Sequence, residues 1–337
     1  MDCTVILLSA TLPAARRKAL AKAYSGRNDT EYKRYPRITL ARPRHYPDVP
    51  KDGAPECVEI PMEKPCAIDV RFAKTDLAIL AATLCQQLTH GGCAAVIGNT
   101  VNRSIEVYKH LKDTLKDTEC SIFHARMLQH WRREREEEAL RKFGKGEKQS
   151  NGTYASPHRP RRAVLVATQV IEQSPDLDFD LIVSEIAPAD LLLQRCGRLH
   201  RHPRQRPAGL ETPQFIVLCD AEVTGPSPES FGKGIESVYG GYVLLRTWMT
   251  LRERNKIEIP TKMEALVEAV YGESAVACDD EWKAALQQAK EKLKTLRANP
   301  LRRPATSWSA TPSPLVTSLR ISIISWPTMK TRRFTKM

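Results

Sequence analysis

The chain has 337 residues, room for one large or two ordinary domains, and its 52 Lys and Arg exceed its 39 Asp and Glu by thirteen. That surplus points toward nucleic acid, but residues 301–337 hold seven basic groups and no acidic one, so the remainder stands at 45 against 39, an ordinary +6. Nine cysteines without a Cys-x-x-Cys pair argue against a disulfide framework or a zinc site, and the lack of a membrane-length apolar run or a signal peptide at Met1-Asp-Cys-Thr4 predicts a soluble, cytoplasmic protein with reduced thiols.

Cys3 to Leu8 reads as an apolar, β-branched strand ended by Ser9-Ala-Thr11, and Ala14 to Tyr24 as a helix. Gly26 to Pro65 is polar and reads as a linker holding one strand, Arg37 to Leu40, with a second strand beginning near Ala67. Leu77, Leu80, Ala81, Leu84 and Leu88 recur at a helical period, and Gly91-Gly92 ends that helix. Ala94 to Ile97 is a buried strand. Thr100 or Asn99 then caps a helix facing inward with Val101, Ile105, Tyr108 and Leu111.

Ile122-Phe123 opens a further strand leading into His124-Ala-Arg126. Leu128 to Phe143 predicts an amphipathic helix with Trp131, Leu140 and Phe143 inward and the pairs Arg132–Glu136 and Arg133–Glu137 at i,i+4. Lys145 to Arg162 reads as a solvated connector. Ala163–Ala167, Leu181–Ser184 and Phe215–Leu218 are strands alternating with helical segments, the pattern of an α/β parallel sheet. Tyr239 to Leu251, Lys262 to Tyr271 and Asp280 to Leu296 are helical patterns without evident chemistry.

The chemistry concentrates between Ala163 and Arg201. Val166-Ala-Thr-Gln-Val-Ile-Glu-Gln-Ser174 and Asp176-Leu-Asp-Phe-Asp180 precede Gln194-Arg-Cys-Gly197-Arg198-Leu-His-Arg201. Two arginines three apart, behind a glycine, can lie on one side of a helical turn and reach a polyphosphate together. This set is similar to motifs V and VI of superfamily 2 nucleic-acid helicases. It resembles most closely the CRISPR-associated helicase-nuclease of type I systems, whose motif III matches Ser9-Ala-Thr-Leu-Pro13 and whose motif IV region matches Asn99-Thr100 and His124-Ala-Arg126. Pro175 and Cys196 depart from that family's pattern. The family's phosphate loop, Asp-Glu-x-His/Asp box and His-Asp nuclease pair have no counterpart in this sequence.

The resemblance runs from about Val5 to Glu273. It implies a RecA-like parallel sheet flanked by helices, with a helical C-terminal extension. On it, residues 1–25 are a remnant of a first RecA-like lobe with motif III. Residues 26–66 are a linker and entry strand, and 67–222 a second lobe with motifs IV–VI. Residues 223–298 are part of a helical accessory domain, and 299–337 a basic Ser/Thr/Pro-rich tail, disordered or frameshifted. Arg198 and Arg201 are then fingers toward ATP and Mg²⁺ held by the other lobe, with Gln194 orienting phosphate or water and Asp176 near the nucleotide. Ser9, Thr11, Asn99, Thr100, His124, Arg126 and Thr168 would face single-stranded DNA. The whole is expected to be a fragment, silent alone, of an ATP-dependent helicase recruited to a crRNA-guided surveillance complex. A non-catalytic nucleic-acid-binding module and half of a split enzyme, paired with a separately encoded first lobe, are the other readings.

Overall fold

The computed structural model describes residues 6–7, 9, 12–26, 37–41, 56–60, 65–173, 176–221, 225, 231, 235–272, 274–276 and 278–298. Thr11, Pro175 and the tail from 299 onward lie outside the described residues.

In chain order the elements are α1 (Ala14–Ser25), β1 (Arg37–Leu40), β2 (Glu56–Glu59), β3 (Cys66–Ala73), α2 (Leu77–Gln87), β4 (Gly92–Ile97), α3 (Val101–Thr114), β5 (Glu119–Phe123) and α4 (Gln129–Phe143). They continue with β6 (Glu147–Lys148), β7 (Tyr154–Ala155), β8 (Arg162–Ala167), α5 (Val170–Gln173), β9 (Leu181–Glu185), α6 (Ala189–Cys196) and β10 (Gln214–Leu218). Last come α7 (Ile235–Tyr239), α8 (Gly241–Leu251), β11 (Lys256–Ile259), α9 (Met263–Tyr271) and α10 (Asp280–Ala298).

A seven-stranded sheet in the order β11-β3-β10-β9-β4-β8-β5 organises the molecule, parallel throughout except for β11, which pairs antiparallel with β3. It is a RecA-like α/β fold. Its central strands are buried on both faces, and their unbroken apolar runs follow from that. Alternate residues feed two cores. Ala94, Val96, Val164, Val166, Leu181 and Val183 pack under α2 and α3. Cys93, Ala95, Ile97, Leu165, Ile182 and Phe215 pack with α6, α8 and α9.

Local chemistry sets the ends of these helices. Asp76 caps α2 by accepting from the Ile79 amide at 2.8 Å, and Thr100 caps α3 through the Arg103 amide at 3.3 Å. Gly92 sits at φ 121°, a conformation that residues with a side chain rarely adopt, and a Cβ there would also come within 2.9 Å of Leu210 Cδ1, so the strand start favours glycine.

Five expectations need correction. The 26–66 segment holds two strands rather than one, β1 and β2 pairing antiparallel. The connector after α4 carries a short ribbon, β6–β7, and is tied down by Arg159, whose guanidinium lies 2.9 Å from Asp180. The C-terminal extension, read as purely helical, supplies the edge strand β11. On α4 only Phe143 of the three expected apolar residues is buried; Trp131 and Leu140 are exposed, and Ala139 fills the core instead. The expected Arg132–Glu136 and Arg133–Glu137 pairs do not form, and Glu138 instead pairs with Arg135 and Lys142.

Candidate functional site

The candidate residues fall into two groups. The first gathers at the C-terminal ends of parallel strands, where α/β folds bind their ligands. β4 delivers Asn99 and Thr100, β5 delivers His124 and Arg126, and β8 delivers Thr168. The Arg126 guanidinium reaches Asn102 Oδ1 on α3 at 3.4 Å, joining the two loops. His124 titrates below its ordinary value, through burial first and Arg126 second. Thr168 is buried and its amide donates to Phe123 O at 3.3 Å. Ser9 is exposed.

Asn99 is the surprise of this group. It is buried, with its amide donating to Glu185 Oε2 at 2.7 Å and its Nδ2 to Ile186 O at 2.7 Å. Its Oδ1 accepts from Arg195 at 3.4 Å and from the Tyr239 hydroxyl at 3.3 Å. The side chain expected toward nucleic acid is thus turned into the core and occupied there.

The second group follows α6. Gln194 is half-buried at its last turn, Gly197 closes the helix, and beyond it Arg198 is half-buried and Arg201 exposed. Arg198 donates through Nη2 to the Glu172 carbonyl at 3.0 Å, while its Nε is buried without a partner. Arg201 donates to the Gly197 carbonyl at 3.2 Å. Neither guanidinium has an acidic partner within salt-bridge distance among the described residues. Burial, then the charge of Arg201, pushes Arg198 down to about 10, with Glu172 and Asp176 opposing the fall, so it stays cationic at neutral pH. Asp176 is about half exposed and lies 3.3 Å from His202 Nε2.

What holds these arginines in place was not legible as function in the sequence. Arg195, the residue between Gln194 and Cys196, is fully buried. It donates to Glu172 Oε1 at 2.8 Å, Ser184 Oγ at 2.7 Å and Glu185 O at 3.2 Å. Burial raises the Glu172 carboxyl above the usual range even with Arg195 beside it. Glu172 therefore joins the two groups, binding Arg195 with its carboxylate and Arg198 with its carbonyl. Gln169 completes the arrangement by donating to Asn99 O at 2.8 Å and to the Tyr239 hydroxyl at 2.7 Å.

A second buried network locks the far end of the motif. Asp178 accepts from the Arg201 amide at 3.0 Å, Arg204 Nε at 2.5 Å and Arg206 Nη2 at 2.9 Å. Asp180 accepts from Arg159, Arg206 and the Cys93 amide. Burial opposes the charge of Asp180 most, yet Arg159 and Arg206 together hold its carboxyl below the usual range. A parallel bridge between Phe179 and Leu199 joins the two segments directly. His200 sits between them at φ 44°, and burial followed by Arg206 lowers it to about 4. The alternating acids of Asp176–Asp180 facing the basic run Arg201–Arg206 were the available sequence signal for this clamp. Cys196 is a buried core thiol, raised by burial.

The described chain is thus a RecA-like lobe that offers loop residues at the C-terminal edge of a parallel sheet and fixes a cation pair behind α6. Residues 90–204 match the family described as CRISPR-associated nuclease/helicase Cas3, C-terminal. The chain is 33% identical over 268 residues to the CRISPR-associated nuclease/helicase Cas3 of Streptococcus thermophilus, covering 79% of this chain and 27% of that protein. A crystal structure of a CRISPR-associated protein superposes with a TM-score of 0.73 at 36% identity, over 88% of this chain and 32% of that one. A chain of a CRISPR RNA-guided surveillance complex, pre-nicking, superposes with a TM-score of 0.66 at 28% identity, over 86% of this chain and 36% of that one. The chain belongs to the Cas3 helicase-nuclease family of CRISPR defence, of which it carries the C-terminal helicase lobe. It spans about a third of the length of the relatives it matches. No described helix is long and apolar enough to cross a membrane.

Proposed function

We propose that this chain supplies the arginine-finger half of an ATP-driven helicase that moves on single-stranded DNA in type I CRISPR interference. One observation carries the reading: Arg198 and Arg201 are held by backbone carbonyls, and no carboxylate of the described residues lies within salt-bridge distance of either. Two neighbouring guanidinium groups, compensated only through space by Glu172 and Asp176, repel each other, and an anion placed between them relieves that cost. The γ-phosphate of ATP is such an anion.

In phosphoryl transfer the protein positions groups and offsets developing charge, and an arginine finger is worth roughly 10³–10⁵ in rate. ATP with Mg²⁺ fits the donor set here in its phosphate charge alone. In this reading the metal-holding carboxylates and the phosphate loop come from the first lobe, with Mg²⁺ offsetting charge on the β- and γ-phosphates. Arg198 and Arg201 then approach the γ-phosphate, Gln194 orients the phosphate or the attacking water, and Asp176 stands near the nucleotide sugar. Single-stranded DNA runs over the strand ends that bear Thr100, His124, Arg126 and Thr168. Asn99 acts beneath that surface as a brace. The superposition on a surveillance-complex chain supports a crRNA-guided complex as the partner.

The test adds a purified first lobe of a Cas3 relative in trans and measures ATP hydrolysis with and without single-stranded DNA. The chain alone should be inactive. The mixture should show DNA-stimulated turnover, lost by about a thousand-fold in Arg198→Ala. ATP hydrolysis by the single chain that disappears on the same substitution would overturn the half-site reading.

A further inference from the structure

α9 carries two faces with different tasks. Met263, Leu266, Val267 and Val270, spaced three and four apart, are buried in the core. Beside them Glu264, Glu268 and Tyr271 form a polar stripe, because residues four and seven apart line up along a helix. The stripe reaches α1 and β1 at its start and α6 at its end.

Its start supplies what α1 lacks. α1 follows Pro13, which provides no side-chain cap, and its first turn holds no acidic residue. Of its residues only Ala21 and Ser25 are buried, so apolar packing alone anchors it weakly. Glu268 Oε2 accepts from the Ala14 amide at 3.0 Å and so caps the open N-terminus from another helix. Glu264 Oε1 accepts from Arg17 Nη1 at 3.1 Å and pairs with Arg37 of β1 as well. Both guanidinium groups are largely buried, which makes this pairing stronger than one at an open surface.

The end of the stripe holds α6. There the Tyr271 hydroxyl donates to Asp190, a buried carboxylate in the first turn of α6. α6 in turn runs to Cys196 and leads through Gly197 into Arg198 and Arg201. Glu264 and Tyr271, seven residues apart, are separated by about 10 Å along the axis. α9 contains no Pro or Gly at which to bend, and one of its faces is locked in the core. It therefore moves as one body.

We propose that α9 links the position of α1 to the aim of the paired arginines, with Glu264 and Glu268 as the positioning residues. α1 directly follows Ser9-Ala-Thr-Leu-Pro13, so a shift in that segment reaches α6 through α9. What the link does for the reaction rests on the reading of Arg198 and Arg201 as groups that meet phosphate. The link itself is mechanical.

Hydrogen exchange of the full chain, followed by mass spectrometry, tests it without nucleotide. Glu264→Ala with Glu268→Ala should raise exchange about five-fold in residues 14–25, the size of a lost helix cap. Exchange in residues 189–201 should rise with it, while β4 keeps the parent's rate. Coupling between two sites is reciprocal, so Tyr271→Phe should loosen residues 14–25 as well as α6. Glu264→Gln with Glu268→Gln keeps an acceptor oxygen at each position and should restore most of the protection at both ends together. A rise confined to residues 14–25 in the alanine pair overturns the link. An equal rise in β4 marks a general loss of stability and overturns it too. Coupled exchange in a chain whose Arg198→Ala variant keeps full turnover with the first lobe in trans overturns the finger reading alone.

Discussion

Replacing Arg195 by methionine removes a fully buried guanidinium while keeping most of its volume. Glu172 then remains in the interior without its paired cation, with only the weaker influence of Arg198, and Asn99 Oδ1 and Ser184 Oγ each lose a donor. Breaking a buried pair on one side costs about 3–5 kcal/mol, because the remaining charge has been taken out of water without compensation. For a unit of this size that corresponds to a fall in melting temperature of roughly 6–20 °C. The loss should also depend on pH in a defined sense. Burial already raises Glu172 above its ordinary value, and Arg195 is the main group opposing that rise. Without it the folded carboxyl moves further up, while the unfolded one does not. Between the two values the folded state binds a proton that the unfolded state lacks, so stability falls as pH rises. Urea unfolding followed by circular dichroism should therefore show a deficit that is larger at pH 8 than at pH 5.

The double variant Arg195→Met, Glu172→Leu provides the internal control. With both charges gone nothing is left buried and unpaired, and much of the lost stability should return. A single variant within about 1 kcal/mol of the parent would refute the claim that the pair is desolvated. A deficit equal at both pH values would refute the role given to the Glu172 carboxylate.

Two further outcomes follow from the second network. Asp178→Asn leaves Arg204 and Arg206 short of charge and should cost about 3 kcal/mol, with hydrogen exchange rising first in residues 199–206; uniform exchange would disprove the local clamp. His200 is lowered to about 4 against an ordinary 6.5. Its contribution is therefore present above pH 6.5 and lost as pH falls toward 4, by roughly 1–2 kcal/mol after allowing for partial exposure. Asparagine tolerates the positive φ at this site, so His200→Asn should keep the fold and flatten that part of the pH profile; an unchanged slope would assign it to other groups.

The strands were legible because burial on both faces demands continuous apolar runs, and Ala94–Ile97, Ala163–Ala167 and Phe215–Leu218 supply them. Thr100 was legible as a cap for the equally local reason that a hydroxyl can satisfy an open helix amide. The α4 error was avoidable. At about 100° per residue Trp131 and Leu140 fall on opposite sides of a helix, so one face cannot bury both. Ala139 and Phe143, four apart, define the face that does. β2 and β11 were hidden because each is four residues long and gains its stability from pairing with a strand distant in sequence. Arg195 was hidden for a deeper reason. A charged side chain predicts exposure until its partners are known, and Glu172, Ser184 and Asn99 come from a helix, a strand and a loop far apart in sequence.

The same partners show how a motif of eight residues acquires a fixed direction. α6 is only two turns long and could not hold Arg198 by its own hydrogen bonds. It is instead secured along its length by groups from outside the motif. Thr247 Oγ1 accepts from the Ala189 amide at 3.2 Å, the Tyr271 hydroxyl donates to the buried Asp190 carboxylate, and Arg195 is gripped by Glu172. Thr247 and Tyr271 belong to α8 and α9, helices whose sequence carries no recognisable chemistry. Their contribution is geometric. The helices pack on the sheet beside α6, with Trp248 and Trp282 stacked at 4.2 Å behind them, and β11 pairs with β3 at the sheet's edge. The placement of the paired arginines therefore depends on residues some fifty to eighty positions away, because aiming a cation costs more structure than providing one.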